Sequence, residues 1–263
     1  MDIIIFGGQS NMQGQSESLT NTDVVPLSYE YKYFIDEIVP LKNPVGEDVA
    51  INKTKGKPFG KGLSLNEWLS EHLVGSSCSG NTNLVPEFCR EYTEITGEKV
   101  LAVHVAKGST EIAYWLPGNG GYEFLAEKSI LAIKSITSDE VGRIFFVWLQ
   151  GESDAIKGHS KNYYKEKIAE LNDSLKKDVG IEKFCIIRVG CFTNDERDFE
   201  IISAQDEICY ENDDFLMLTT IATELNKEPE FMNPFVSGHY SAKGLEKLGK
   251  EAGKTLGAFV SGN

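Results

Sequence analysis

The stretch DIIIFGGQSNMQG, residues 2–14, indicates the fold class, because a short apolar, β-branched run ends in two glycines. Similar apolar runs follow along the chain, at 100–105, 143–149, 184–189 and 215–221. Strands that are apolar throughout, rather than at every second residue, are typical of parallel sheets that are buried on both faces. The sequence therefore predicts a parallel sheet of about five strands.

Between most of these runs lie stretches with apolar residues at three- and four-residue spacing, at 85–95, 124–136, 163–177 and 242–260. Strands that alternate with amphipathic helices predict a three-layer, doubly wound α/β fold. Segment 13–80 is the exception, since it is rich in Lys, Asn, Gly and Pro and only SLNEWLSEHL, residues 64–73, shows a clear helical pattern. We interpret it as an elaborated loop region beside the sheet, within a single domain that spans 1–263.

Charge and composition exclude several classes of function. The 263 residues include 26 basic and 40 acidic side chains, a formal net charge of −14, which repels nucleic acid and anionic lipid surfaces. The five cysteines form no CxxC pair, and no His and carboxylate spacing suits a metal. We therefore expect no bound metal. The N-terminal sequence lacks the basic start and long apolar stretch of a signal peptide, so we expect a cytoplasmic protein.

Ligands of open parallel sheets bind beyond the carboxyl ends of the strands, so the residues that follow each strand are candidates for chemistry. After the first run, Gly7 and Gly8 permit a sharp turn that leaves Ser10 exposed at the start of a helix. Such a serine can act as a nucleophile, with its own backbone N–H directed at an oxyanion. The alternative is a simple helix cap, since Ser10 and Gln13 fit the capping-box spacing.

Two further strand ends carry polar groups. After the second run comes AKGSTEIAYW, where the N–H of Gly108 is a candidate oxyanion donor. After the third comes WLQGESDA, where Gln150 can donate an amide hydrogen bond and Glu152 can accept one from an imidazole. The alternative is a turn that leads into a helix capped by Asp154.

Of the four histidines, His239 is the best candidate for a general base, because it lies in a turn immediately before the last amphipathic helix. His104 lies inside an apolar strand and is expected in the core. His72 follows a charged helix-like stretch, and His159 lies among Lys157, Ser160 and Lys161.

Four runs in order, GGQSNMQG, AKGSTEIAYW, FVWLQGESDA and GHYSAKGLEKLG, together resemble the carbohydrate esterase family 6 and sialate O-acetylesterase-like group of the SGNH hydrolases. The resemblance covers residues 7–250 and implies the flavodoxin-like SGNH fold. It implies Ser10 as nucleophile and His239 as general base. It also implies an oxyanion hole formed by the N–H groups of Ser10 and Gly108 and the amide of Gln150, with no metal or organic cofactor.

One position departs from the wider superfamily, in which an aspartate often precedes the histidine by three residues. Here that position is Val236, which cannot orient an imidazole. By resemblance to family 6 esterases, Glu152 takes the role of the acid.

The resemblance implies a serine esterase that removes acetyl groups from sugars, such as acetylated xylan or O-acetylated sialic acid, through an acyl-enzyme. We expect Asn11 and Trp115 to contact the substrate, although a buried tryptophan is the alternative for Trp115. A general short-chain esterase and a catalytically silent carbohydrate-binding protein are the rival functions. The oligomeric state is left open.

Overall fold

The computed structural model of the protein describes residues 1–33, 35–46 and 81–262. Within these ranges, seven strands form one sheet in the order β3-β2-β4-β1-β5-β6-β7. The strands are β1 Asp2–Gly8, β2 Ser28–Lys32, β3 Glu37–Pro40, β4 Val100–Ala106, β5 Ile144–Leu149, β6 Lys183–Ile187 and β7 Phe215–Thr219. All neighbouring pairs are parallel except the antiparallel pair of β2 and β3 at one edge.

Helices flank this sheet. They are α1 Ser10–Gln13, α2 Val85–Thr96, α3 Gly120–Lys134, α4 Glu152–Lys157, α5 Lys161–Asp178, α6 Glu196–Glu211, α7 Ala222–Leu225 and α8 Ala242–Ser261. The last helix, α8, packs along α2. Across the described residues, no helix combines the length and apolar character that a membrane span requires.

The predicted α/β fold is confirmed, and all five predicted apolar runs are strands of the parallel part of the sheet. The predicted number of strands was too low, because β2 and β3 lie inside the segment that we interpreted as loops. Helix α6 was also missed. The predicted helix at 64–73 lies outside the described residues.

The sheet brings three strand ends together. Strand β1 is central, with β4 and β5 on either side, and Gly8 at its carboxyl end is in register with both Ala106 and Leu149. The next residues of all three strands therefore emerge at the same edge of the sheet. This edge carries the chemical groups singled out in the sequence.

Candidate active site

The turn from β1 into α1 depends on Gly8. Its φ is +151°, and a Cβ there would lie 2.1 Å from the carbonyl oxygen of Leu149. No side chain fits this position, so glycine allows β1 to run directly into α1. Helix α1 begins at Ser10, its N-cap residue is Gln9, and no side-chain cap hydrogen bond is formed. The capping alternative for Ser10 is therefore wrong, and its side chain is not used as a cap.

Ser10 is less accessible than we expected, with an exposed fraction of 5%. The loop after β4 approaches it closely, because a Cβ on Gly108 would lie 3.3 Å from Cβ of Ser10. The N–H of Gly108 donates to Oε1 of Gln13 at 3.3 Å, and the same oxygen accepts from Nε2 of Gln15 at 3.0 Å. The hydrogen bond of the Gly108 N–H is therefore already taken by the side-chain oxygen of Gln13.

Asn11 links the nucleophile segment to two other parts of the site. Its Nδ2 donates to Oε1 of Glu152 at 2.8 Å and to the carbonyl oxygen of Gly238 at 3.4 Å. Its Oδ1 accepts from the N–H of Tyr240 at 3.2 Å. Because Gly238 and Tyr240 flank His239, the residue next to Ser10 holds the backbone on both sides of the candidate base. Asn11 is buried and its polar atoms are occupied, which favours a positioning role over the substrate contact that we expected.

The ring of His239 is oriented by its own loop. Its Nδ1 lies 3.0 Å from the carbonyl oxygen of Ser237, which can only accept, so Nδ1 carries the proton in this arrangement. Nε2 is then left with a lone pair that can take a proton. The ring also lies against Phe192, with 6.2 Å between the ring centroids.

Glu152 lies close to His239 but is not bonded to it in the structure. Its Oε1 accepts from Asn11, and its buried Oε2 has no hydrogen-bond partner in the part of the chain that the structure describes. Burial raises the pKa of the Glu152 carboxyl, while the Asn11 hydrogen bond and the attraction of His239 act in the opposite direction. The Glu152 carboxyl is therefore near enough to His239 for the imidazole to affect its pKa.

The amide of Gln150 does not point into the site as the oxyanion donor that we expected. Its Nε2 donates to the carbonyl oxygen of Thr110 at 2.8 Å and to Oδ2 of Asp154 at 2.6 Å, so both amide hydrogens are in use. Its Oε1 accepts from the hydroxyl of Tyr164 at 3.0 Å. In this arrangement Gln150 fixes the segment that carries Gly108.

Asp154 is likewise not the helix cap that we expected as the alternative. Helix α4 begins at Glu152, so Asp154 lies inside its first turn. Its Oδ2 accepts from the N–H of Ile112 at 2.9 Å as well as from Gln150, and its Oδ1 accepts from Nδ1 of His159 at 2.7 Å. Burial raises the pKa of this carboxyl, and these three hydrogen bonds oppose the rise.

The structure contradicts the expectation that Trp115 offers a face to a sugar. The side chain is 1% exposed, its Nε1 donates to Oγ1 of Thr110 at 3.0 Å, and its ring packs edge-on against Trp148. The buried alternative is therefore correct, because the indole packs in the core and its polar atom is satisfied there.

Two residues near the site were not identified from the sequence. His159 was set aside, yet it contacts a buried aspartate five residues earlier in the chain. Asn233 holds the His239 loop, and the Asn-Pro pair at 233–234 was a turn signal that could have indicated it.

His104 is buried as expected, with Nε2 2.9 Å from the carbonyl oxygen of Met12. His72 lies outside the described residues.

Residues 1–256 match the family described as carbohydrate esterase, sialic acid-specific acetylesterase. The chain belongs to this family. The predicted resemblance is thereby confirmed, and the protein is a carboxylic ester hydrolase by family. A comparison with curated proteins found no match.

Solved structures show the same fold at low sequence identity. A protein from Arabidopsis thaliana is 16% identical with a TM-score of 0.67, and the match covers 99% of this chain and 98% of the other. A carbohydrate acetylesterase from Xanthomonas citri is 15% identical with a TM-score of 0.60, over 100% of this chain and 57% of the other. A lipase/acylhydrolase from Enterococcus faecalis is 13% identical with a TM-score of 0.52, over 98% and 97%. These likenesses confirm the predicted fold of SGNH hydrolases.

Proposed function

We propose that the protein is a serine esterase that removes O-acetyl groups from acetylated xylan or related acetylated sugars through an acyl-enzyme. Membership of a carbohydrate esterase family supports the ester and the sugar. The observation that carries the chemistry is the side chain of Asn11, next to Ser10, which binds the backbone on both sides of His239 and the carboxylate of Glu152. This linkage supports Ser10, His239 and Glu152 as the nucleophile, the base and the acid.

In the first step Nε2 of His239 takes the proton of the Ser10 hydroxyl as its oxygen attacks the acetyl carbonyl carbon. The bond to the sugar oxygen then breaks, and the imidazolium returns the proton to that oxygen. Water deprotonated by the same imidazole attacks the acetyl-serine, the bond to the Ser10 oxygen breaks, and the imidazolium returns the proton to that oxygen. Acetic acid leaves and ionises to acetate. The proton on Nδ1, donated to the Ser237 carbonyl, supports this assignment because it leaves Nε2 as the basic atom.

The tetrahedral oxyanion is stabilised by the N–H groups of Ser10 and Gly108, whose loops touch at the strand ends. The Oε1 of Gln13 has to give up the Gly108 N–H to the substrate oxygen. We keep Gln150 as the proposed third donor, and its amide must release Thr110 or Asp154 to serve in that way. Without that release, Gln150 acts by holding the Gly108 segment in place.

Glu152 is proposed as the positioning acid. The charge of the buried carboxylate stabilises the imidazole when it becomes protonated, and Oε2, which has no partner among the described residues, is the atom available for it. The Ser237 carbonyl orients the ring in the resting state, so Glu152 contributes mainly when the imidazole becomes charged.

The test is acetate release from acetylated xylo-oligosaccharides, O-acetylated sialic acids and 4-nitrophenyl acetate, with the chain and its Ser10→Ala variant in EDTA-containing buffer. We expect hydrolysis of acetylated sugars by the parent chain and background rates for the variant. Activity on the aryl ester alone would favour a general short-chain esterase. Inactivity on every ester, together with retained sugar binding, would favour a silent carbohydrate-binding protein.

A further inference from the structure

The loop that carries His239 also presents an exposed phenyl ring. Phe235 is 82% exposed, although its loop is tightly held. Oδ1 of Asn233 accepts from the N–H groups of Phe235 and Val236 at 2.9 and 3.2 Å, and the N–H of Asn233 donates to the carbonyl oxygen of His239 at 2.8 Å. The outward position of the ring is therefore a consequence of the folded loop.

Beside Phe235 is an open cleft of about 300 Å³, at the lower end of the size range for small-molecule sites. Its walls combine the phenyl ring with the side chains of Gln15, Asn81 and Glu17. An aromatic face next to amide and carboxylate groups matches a sugar ring, which has apolar C–H faces and a rim of hydroxyls.

Two residues that line the cleft, Gln15 and Asn233, connect it to the segments of the proposed reaction site. Nε2 of Gln15 lies 3.0 Å from the position of a Cβ on Gly108, the proposed oxyanion donor. On the other side, Nδ2 of Asn233 donates to the carbonyl oxygen of Gln15 at 3.0 Å, so the loop of His239 is bonded to the same wall. The wall of the cleft is therefore shared with the loop of the proposed base and lies next to the proposed donor.

The charges of the cleft favour a neutral ring. Within the described ranges its lining includes the carboxylate of Glu17 and no Lys, Arg or His. The Glu17 carboxylate accepts from the N–H of Ala242 at 3.0 Å and from the hydroxyl of Ser18 at 3.1 Å, both of which are neutral donors. A sugar that carries its own carboxylate would approach a carboxylate in the wall of a chain with net charge −14.

We propose, on the basis of the function proposed above, that this cleft binds an uncharged sugar ring of the acetylated substrate and that Phe235 is the surface on which the ring stacks. Phe235 is then a determinant of specificity. The reaction at the acetyl group does not depend on it.

The first experiment compares Phe235→Ala with the parent chain on an acetylated xylo-oligosaccharide and on 4-nitrophenyl acetate. We expect KM for the oligosaccharide to rise about tenfold with little change in kcat, because the lost contact is made equally in the ground and transition states. Rates on the aryl ester should stay within twofold, and Phe235→Tyr should restore the parent KM. Tyr210→Ala is the matched control, since Tyr210 is 92% exposed on α6.

The second experiment tests charge with a matched pair, an acetylated methyl glucoside and the corresponding methyl glucuronide. We expect the neutral glucoside to have the higher kcat/KM, and the difference to shrink in Glu17→Gln and at high ionic strength. An equal or higher kcat/KM for the glucuronide would overturn the uncharged class.

Failure of the subsite is distinguishable from failure of the proposed function. If Ser10→Ala abolishes hydrolysis while Phe235→Ala leaves the oligosaccharide KM unchanged, the subsite is wrong and the esterase stands. If no acetyl ester is hydrolysed, the esterase is wrong, and NMR titration of the parent and Phe235→Ala chains with xylobiose still tests the cleft. Weaker binding of xylobiose by Phe235→Ala supports the sugar site in the cleft, and equal binding overturns it.

Discussion

Glu152 and Asp154 lie two residues apart in helix α4, and both carboxylates are buried. Asp154 accepts three hydrogen bonds, from Ile112, Gln150 and His159. Glu152 accepts one side-chain hydrogen bond, from Asn11, and its second oxygen has no hydrogen-bond partner among the described residues. Because a buried polar atom without a partner is costly, an incomplete set of hydrogen bonds at a site favours a functional role over a structural one.

The same contrast holds for the regions around the two carboxylates. Around Asp154, the polar atoms of Gln150, Thr110 and Trp115 bond to one another inside the core. Around Glu152, the bonds of Asn11 reach across to the loop of His239, where the imidazole is half-buried. We infer that the first region holds the loops in place and that the second performs the reaction.

Of the substitutions in these two regions, Glu152→Gln is expected to have the largest effect, since it removes the charge with little change in shape. We predict a fall in kcat of about 10³, approaching the 10⁴ known for loss of a triad acid in well-studied serine hydrolases. A loss of less than tenfold would show that the Ser237 carbonyl alone orients His239, in a serine and histidine dyad.

Stability provides a second measurement on the same variant. Burial raises the pKa of Glu152 in the native state, so ionisation of this carboxyl disfavours folding as the pH rises through that pKa. At pH 8 we therefore expect Glu152→Gln to have a Tm no lower than that of the parent chain. Its advantage should shrink as the pH falls and the parent carboxyl becomes protonated. A clearly lower Tm at pH 8 would assign Glu152 to the structural region.

A smaller effect is expected from Gln150→Ala. If the amide donates to the oxyanion, kcat should fall by roughly 10² with little change in KM, because such a donor acts mainly in the transition state. If Gln150 only holds Thr110, the variant should lose stability, with kcat within tenfold of the parent value. Thermal unfolding and steady-state kinetics on one preparation separate the two roles.

Asp154→Asn is the matched control for Glu152→Gln, since it makes the same chemical change two residues along the helix. The new amide group would face a hydrogen-bond donor, so we expect a loss of about 1–3 kcal/mol in the free energy of unfolding. Activity of the folded fraction should stay within tenfold of the parent value. A loss of activity as large as that of Glu152→Gln, without loss of stability, would reverse the comparison.

The smallest effect is expected from Trp115→Phe, which removes the hydrogen bond to Thr110 but keeps an aromatic ring in the core. We expect a loss of about 1 kcal/mol in stability and no change in KM for acetylated sugars. An increased KM would show that Trp115 acts on the substrate after all.

The parallel core of the fold was predictable because its strands are apolar at nearly every position, unlike the two strands of the antiparallel edge. The antiparallel edge was not, since β2 and β3 read SYEYK and EIVP, with charged residues in both. Helix α6 was missed because its apolar residues do not all lie on the buried face. Phe199 is exposed while Ile201 and Ile202 are buried, so the apolar stripe of the helix is blurred in the sequence.

The candidate site was predictable only where a residue type suggested a reaction. Ser10, Gly108 and His239 follow strands or precede a helix, and the sheet brings these segments to one edge or loop cluster. The partners of Gln150 and Asp154 were not predictable, because both bond to the Thr110–Ile112 segment, which lies about 40 residues away in the chain. The order of residues in the chain does not indicate which polar atoms are already satisfied.

Ser10 is the proposed nucleophile, and His239 is the base that activates it. The most direct measurement is the intact mass of the protein after treatment with a fluorophosphonate, followed by peptide mapping. We predict one adduct, located on Ser10, that is absent from Ser10→Ala and forms far more slowly in His239→Ala. An adduct on another residue, or a folded Ser10→Ala variant that retains most hydrolysis of 4-nitrophenyl acetate, would contradict the account.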